Sequence, residues 1–447
     1  MVLIMDCKKV SNTLPFKGLS IYNATAYVQD HTLINRGITT LGGSTVPQCI
    51  MSNNKYEAQE RAIMGGVYFV ASYLTPILLI PLYNKHFLKN KGITKSLEDV
   101  GKKIIQVPKK YLTPEADLKK GLEETAKRFD KNGKTECKDA FNEIYQRYNN
   151  PDKLKKDLLS VHEKVLMTDY ITTAGMWSLI PWIATETTEH RTKRRDFSAG
   201  FKLKEEEQKS QAQLRKSKNN KILWNILFCV IPGIAFSKTV TKGLSTNLSK
   251  IAKSENNIFK KGFNNILKKI GQNPSNFDYM SGTNMSKTIY AAIWVLSSFP
   301  AKIISSRDAN ERRDRTLRDV GLFTMFFGGD FLINNIAGRI ADKIFGTKIM
   351  ESSDKNSNFF QNFKLKLRNF RKLEQATDMT PELLKKTKSI GAGLYWFSLL
   401  TNTALIGFAL PKFLNKFLRY NIKKETQTPD ITQIAYNKIS MQEFLEK

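Results

Sequence analysis

Residues 62–83 and residues 389–411 each run for more than twenty positions without a charged side chain. A helix of about 20 apolar residues crosses the ~30 Å hydrocarbon core of a bilayer, so both stretches read as membrane spans. Residues 320–338 are uncharged except for Asp330 and lie between Asp319 and Arg339, which makes a third. Three shorter blocks follow the same pattern: residues 170–185, 222–237 and 288–301. Each lengthens to a span if Asp169, Lys238 or Lys302 sits at the interface, which snorkelling allows for the two lysines. The expected fold is therefore all-α: a polytopic helical membrane bundle of about six spans, with four as the fallback.

Proline placement points the same way. Pro76, Pro81, Pro181, Pro232, Pro300 and Pro411 all fall within or at the ends of these blocks. A soluble helix interior loses ~3 kcal/mol per proline. In a bundle, neighbouring helices and Ser/Thr hydroxyls can take over the freed carbonyls. All five tryptophans, at 177, 182, 224, 294 and 396, lie in or beside the blocks, as interfacial anchors do.

Outside the blocks the chain is strongly basic, with a formal net charge of +30 over 447 residues. Such a charge calls for an anionic partner, either nucleic acid or the anionic face of a membrane. The uncharged blocks favour lipid, and RNA-binding and zinc-finger signatures are absent, so nucleic acid ranks last. Residues 257–270, NIFKKGFNNILKKI, place Ile258, Phe259, Phe263, Ile266, Leu267 and Ile270 on one face with Lys260, Lys261, Lys268 and Lys269 beside it. Residues 358–373 repeat the character, with Phe359, Phe363, Leu367 and Phe370 among Lys364, Lys366, Arg368, Arg371 and Lys372. Each basic residue near an anionic surface is worth ~1 kcal/mol, so both segments are expected to lie flat on the bilayer. Packing onto a soluble lobe is the alternative.

The chain divides into an irregular N-terminal segment (1–60), a first span (61–88) and a helical extramembrane domain (89–166). Membrane helices with basic loops follow (167–346), then a basic amphipathic segment (347–388), a last span (389–420) and a tail (421–447). Within the small domain, helix starts are expected at Thr113-Pro114-Glu115 and Asn150-Pro151-Asp152, where proline suits the first turn. Ala174-Gly-Met-Trp177 followed by Arg194-Arg195-Asp196 is echoed by Ala291-Ala-Ile-Trp294 followed by Arg312-Arg313-Asp314. This suggests a duplicated helix pair entering the membrane in one direction. A weaker echo links residues 81–88 with 411–418. If the repeat holds, the Lys/Arg-dense loops 188–221 and 302–319, and both termini, face the cytoplasm. Residues 307–319, RDANERRDRTLRD, put opposite charges four apart and read as a self-paired solvent helix.

No motif names a reaction. Cys7, Cys49, Cys137 and Cys229 lie far apart without a CxxC pair and read as free thiols. The run after Met1 is too short for a signal-peptide core and lacks a cleavage site, so no cleaved export signal is expected. Residues 130–141 open like a calcium loop but carry Lys134, Thr135 and Phe141 where an oxygen ligand, Gly and Glu are needed. Glu186, Glu189 and His190 lack a second His and read as a polar helix end rather than a metal site. GxSxG, GxxxxGK[ST] and GxGxxG settings are missing, so no enzyme activity and no cofactor are expected. The most suggestive polar cluster is intramembrane: Asp330 with Asn334, Asn335 and Arg339, joined by Asp342. A carboxylate at that depth costs several kcal/mol unless paired or hydrated, which makes it an ion- or proton-path hypothesis, against the bland role of locking helices together. The expected function is a non-enzymatic multi-pass membrane scaffold or assembly factor gripping anionic lipid, in a plasma membrane or bacterial inner membrane. A protein partner or homo-oligomer is compatible with it. The alternative is a small-solute or ion transporter with Asp330 on its pathway.

Overall fold

The computed structural model of the chain describes residues 21–52, 55–95, 100–130, 135–192, 211–247, 257–279, 285–306, 309–351, 365, 367, 368, 373, 376–414 and 416. In chain order its α-helices are α1 (Ile21–Asp30), α2 (Thr32–Arg36), α3 (Val46–Ile50), α4 (Lys55–Phe69) and α5 (Thr75–Asn90). There follow α6 (Leu118–Phe129), α7 (Glu136–Tyr148), α8 (Pro151–Thr192), α9 (Gln211–Ser245) and α10 (Ile258–Gln272). The last are α11 (Lys287–Ile293), α12 (Phe299–Ile304), α13 (Ala309–Phe323), α14 (Asp330–Phe345) and α15 (Pro381–Asn402). Among the described residues there is no strand, only an isolated antiparallel bridge between Met350 and Leu367.

Four helical stretches among the described residues are long and apolar enough to cross a membrane: Glu57–Asn90, Asn219–Ser245, Arg312–Phe345 and Pro381–Leu414. The blocks at 170–185 and 288–301 fall in α8 and α11–α12, which do not reach that standard. This fourfold set is the fallback count, and it is compatible with a membrane protein.

Prolines shape these helices in a regular way. The π-helical segments Gly37–Thr45, Val70–Leu74, Trp294–Ser298 and Thr403–Ala409 each end two residues before a proline: Pro47, Pro76, Pro300 and Pro411. A proline has no N–H for the carbonyl four residues back and its ring crowds that carbonyl, so the helix widens by one residue per turn instead of breaking. Threonine hydroxyls beside these turns bond other carbonyls of the same segments. Thr75 Oγ1 donates to the Val70 carbonyl at 3.2 Å and Thr45 Oγ1 to that of Thr40 at 3.1 Å.

The structure separates into two units, Met1–Met51 with Val320–Lys416, and Ser52–Asp319 with Phe417–Lys447. In the second unit α8 is central: 42 residues, about 63 Å at 1.5 Å per residue, packed against α4, α5, α9 and α11. Trp177 stacks on Tyr68 at 4.4 Å while Lys164 lies 5.9 Å over the Phe87 ring, so α4–α5 run antiparallel to α8. Cys229 meets Ser178 at 3.4 Å and Gly233 sits against Tyr170 and Ile171, so α9 is antiparallel too. The start of α9 reaches the end of α12 through Lys221 Nζ and the Ser306 carbonyl at 3.2 Å, which makes α11–α12 parallel to α8. Trp177 and Trp294, the aligned tryptophans of the sequence echo, meet edge-on at 6.3 Å.

Between α5 and α8 a small helical layer forms around Leu118, Leu122, Phe141 and Ile144. Its first full helix starts later than Thr113-Pro114-Glu115. Residues 113–116 close a turn, and the Asp117 carboxylate caps α6 by accepting from the Lys119 and Lys120 amides. The Asn150-Pro151 start does open α8, with Asn150 Oδ1 accepting from the Asp152 and Lys153 amides at 3.0 Å.

In the first unit residues 21–50, expected to be irregular, are helical. Trp396 Nε1 donates to Thr25 Oγ1 and the Tyr395 hydroxyl to Asn35 Oδ1, each at 2.8 Å, tying α1 and α2 to α15. Gly407 lets Pro47 approach so closely that a Cβ there would lie 2.5 Å from the proline Cβ.

Candidate functional site: a basic amphipathic helix at the end of an apolar one

α10 begins at Asn257, whose side chain accepts from the Phe259 and Lys260 amides and stops the helix fraying. Its C-terminal half is docked: Leu267, Ile270 and Gly271 are buried. The dock is α9, where Gly243 leaves room for Ile270; a Cβ there would lie 2.7 Å from the Ile270 Cβ. Lys242 Nζ adds a cation–π contact, 5.3 Å over the Phe263 ring.

The rest of the apolar face has no cover in the described structure. Ile258 and Phe259 are 83% and 88% exposed, and Phe263 and Ile266 are exposed beside them. At 100° per residue these four side chains fall within an arc of about 140°, which overlaps the arc of about 100° that holds Leu267, Ile270 and Gly271 against α9. Lys260, Lys261 and Lys269 are exposed and Lys268 half-buried, so the apolar arc has basic borders. The docking point, Gly243, lies two residues from the end of the apolar stretch Asn219–Ser245. Leu223, Trp224, Ile226 and Ile231 on that stretch are also more than half exposed.

The second expected amphipathic helix takes a different form where it is described. Leu367 bridges to Met350, and the Arg368 amide donates to the Ile349 carbonyl at 2.8 Å, so this piece is extended, not helical. The Arg368 guanidinium is 13% exposed and donates to both oxygens of Asp378, at 3.0 and 3.3 Å, rather than facing lipid. Lys364, Lys366 and Arg371 lie outside the described residues.

The polar cluster expected to lie within the membrane resolves into separate roles. Asn335 donates to the Leu365 carbonyl at 3.2 Å and accepts from Arg339 Nε at 3.1 Å. The Asp342 carboxylate holds the turn after α14, accepting from Thr347 Oγ1 and from the Ile349 and Met350 amides at 2.7–2.9 Å. Those bonds are made possible by Gly346, which leaves the helix at φ +60°. Asn334 lies one residue earlier on α14. Asp330 is the first residue of α14, after a π-helical turn over Thr324–Gly329, and its side chain lies outside the description.

Of the expected self-paired helix 307–319, residues 307 and 308 and the side chains of 309–311 lie outside the description, and the rest is corrected by the structure. Instead of a solvent helix, α13 buries Asp314, Arg315, Arg318 and Asp319. Asp314 pairs with Arg318 at 2.8 Å as the spacing implied. Asp319, however, pairs with Lys302 at 2.8 Å, and Arg315 donates to Ser305 Oγ at 3.0 Å. Partners on a neighbouring helix repay the desolvation that spacing within one helix could not reveal.

Sequence reasoning also treated Asp169 as an interfacial charge at the edge of a span, whereas the structure buries it completely on α8. Among the described residues no group of three or more His, Cys, Asp or Glu could hold a metal ion; the Glu189 and His190 side chains lie outside the description. Compared with protein-family models, curated proteins and solved structures, the chain matches none.

Proposed function

We propose that this protein is a multi-pass membrane scaffold or assembly factor that grips anionic lipid through α10. The observation that carries the reading is the position of that helix. Its apolar arc, bordered by Lys260, Lys261, Lys268 and Lys269, is held at one end of an apolar helix of membrane-crossing length. A helix docked there lies at the level where headgroups meet acyl chains, with phenylalanines to bury and lysines to meet phosphate.

The test uses the full chain with Cys7, Cys49, Cys137 and Cys229 replaced by Ser and Phe259→Cys carrying a polarity-sensitive dye. In phosphatidylcholine nanodiscs containing phosphatidylglycerol the dye emission should shift to the blue and be quenched by brominated acyl chains. Replacing the four lysines by Gln should weaken that response at least tenfold in anionic-lipid dependence. A dye in water-like surroundings in every bilayer would remove the proposal.

A second reading rests on the π-helical turn leading into Asp330, a deviation that recurs at functional sites. In that reading the protein is a small-solute or ion transporter, and flux into proteoliposomes is lost in Asp330→Asn. A scaffold shows no flux in either form.

A further inference from the structure

Asp169 lies on the face of α8 that also carries His162, seven residues before, and Thr173, four residues after. Its side chain is fully buried, and neither carboxylate oxygen has a hydrogen-bond partner among the described residues. The same holds for Thr173 Oγ1, the Tyr279 hydroxyl and His162 Nε2, all sealed from solvent. Tyr279 is close enough to feel the carboxylate: after burial, the Asp169 charge is the next cause that holds its phenol well above the usual range. Beside Tyr279, Lys109 Nζ sits 5.7 Å from the ring centre, pairs with Asp278 at 3.1 Å and donates to the Phe277 carbonyl.

The charges of this cluster do not cancel. Lys109 contributes one positive charge and Asp278 one negative charge, and they neutralise each other. His162 is neutral, because burial and then Lys109 push its imidazole well below the ordinary value. An ionised Asp169 is then one uncompensated negative charge in a buried place, which costs several kcal/mol; burial alone pushes its carboxyl up to about 8, so near neutral pH the charge forms only with a cation beside it. The unpartnered groups that go with it are the Thr173 hydroxyl one turn away on α8 and the Tyr279 hydroxyl, while His162 Nε2, the one nitrogen, sits two turns away at about 10 Å of helical rise. A divalent ion would overshoot the charge, and a transition metal would lack its preferred ligands.

We infer that Asp169, Thr173 and Tyr279 form a binding site for one small monovalent cation, held by a carboxylate and two hydroxyls on the inner face of α8. The inference is independent of the lipid-gripping role and requires no movement of the ion across the membrane.

The experiment is thermal unfolding of the purified full chain in detergent, in chloride salts of Li⁺, Na⁺, K⁺ or choline at one ionic strength. The expected result is a saturable rise of a few °C in the midpoint with one or two of the alkali ions over choline. Asp169→Asn, which keeps the shape and removes the charge, should abolish the rise. Thr173→Val and Tyr279→Phe should each raise the half-saturating concentration about tenfold, and they carry the test if Asp169→Asn does not fold. Equal midpoints in all four salts would overturn the inference and leave Asp169 a neutral carboxylic acid held by a proton. A rise that survives Asp169→Asn, or unchanged half-saturation in both hydroxyl variants, would overturn it equally.

Discussion

At Ser72 three helical segments of the second unit are tied together by two bonds. Its hydroxyl accepts from Trp177 Nε1 at 3.0 Å, and its carbonyl accepts from the Tyr290 hydroxyl. That carbonyl lacks a helical donor because the residue four positions on is Pro76. Tyr290→Phe therefore leaves a buried carbonyl with one fewer partner, and thermal unfolding should show a loss of about 1–3 kcal/mol. In a Pro76→Ala background the helix supplies its own N–H, so the same change should cost less than about 1 kcal/mol. Equal costs in the two backgrounds would mean the bond is incidental. His162 gives a second test at this scale. Its imidazole is held neutral in the folded chain, whereas the unfolded chain takes up a proton near pH 6.5. Below that pH the unfolded state binds more protons, so stability falls as pH drops from about 7 to 5. His162→Leu should flatten that slope, and parallel slopes in the two proteins would refute the assignment.

Elements in this protein are joined by close approaches as much as by apolar faces. Gly243 is the point where α10 meets α9, and Gly243→Leu would drive a side chain into Ile270. The expected outcome is an undocked α10 with the rest of the unit folded. The signature would be loss of the anionic-lipid response at position 259 with little change in helical content by circular dichroism. The ion pair between α13 and Lys302 behaves differently. Lys302→Met strands Asp319, which is 5% exposed, and should cost about 3–5 kcal/mol. Adding Asp319→Leu should recover most of the loss, because a buried pair replaced by apolar groups of similar volume is close to neutral. Failure of that rescue in thermal unfolding would show that the rest of the buried charge cluster depends on the pair.

For the whole molecule the decisive property is residence in the membrane. With four apolar helical stretches, the native chain should stay in the pellet after alkaline carbonate washing and leave it only with detergent. Release by carbonate would mean that the apolar stretches pack as a soluble core. The sequence by itself determined the three longest apolar stretches, the tolerance of prolines inside them and the amphipathic face of α10. These follow from local composition and the 3.6-residue period, which need no knowledge of neighbours. Sequence reasoning expected about six spans, however, and did not single out 222–237 from the blocks at 170–185 and 288–301. The helical order of residues 21–50 was not legible there, because it depends on Trp396, Tyr395 and Gly407, more than three hundred positions away. Nor was the role of α8. Sequence reasoning counted its residues 170–185 among six spans, whereas neighbouring helices bury Asp169, Thr173, Trp177 and Ser178 on it and leave Leu179 and Ile183 about half exposed. Only tertiary structure decided which charges are buried. Asp169 and Asp319 are both acidic residues beside apolar blocks, and what separates them is whether another helix brings a lysine within 3 Å.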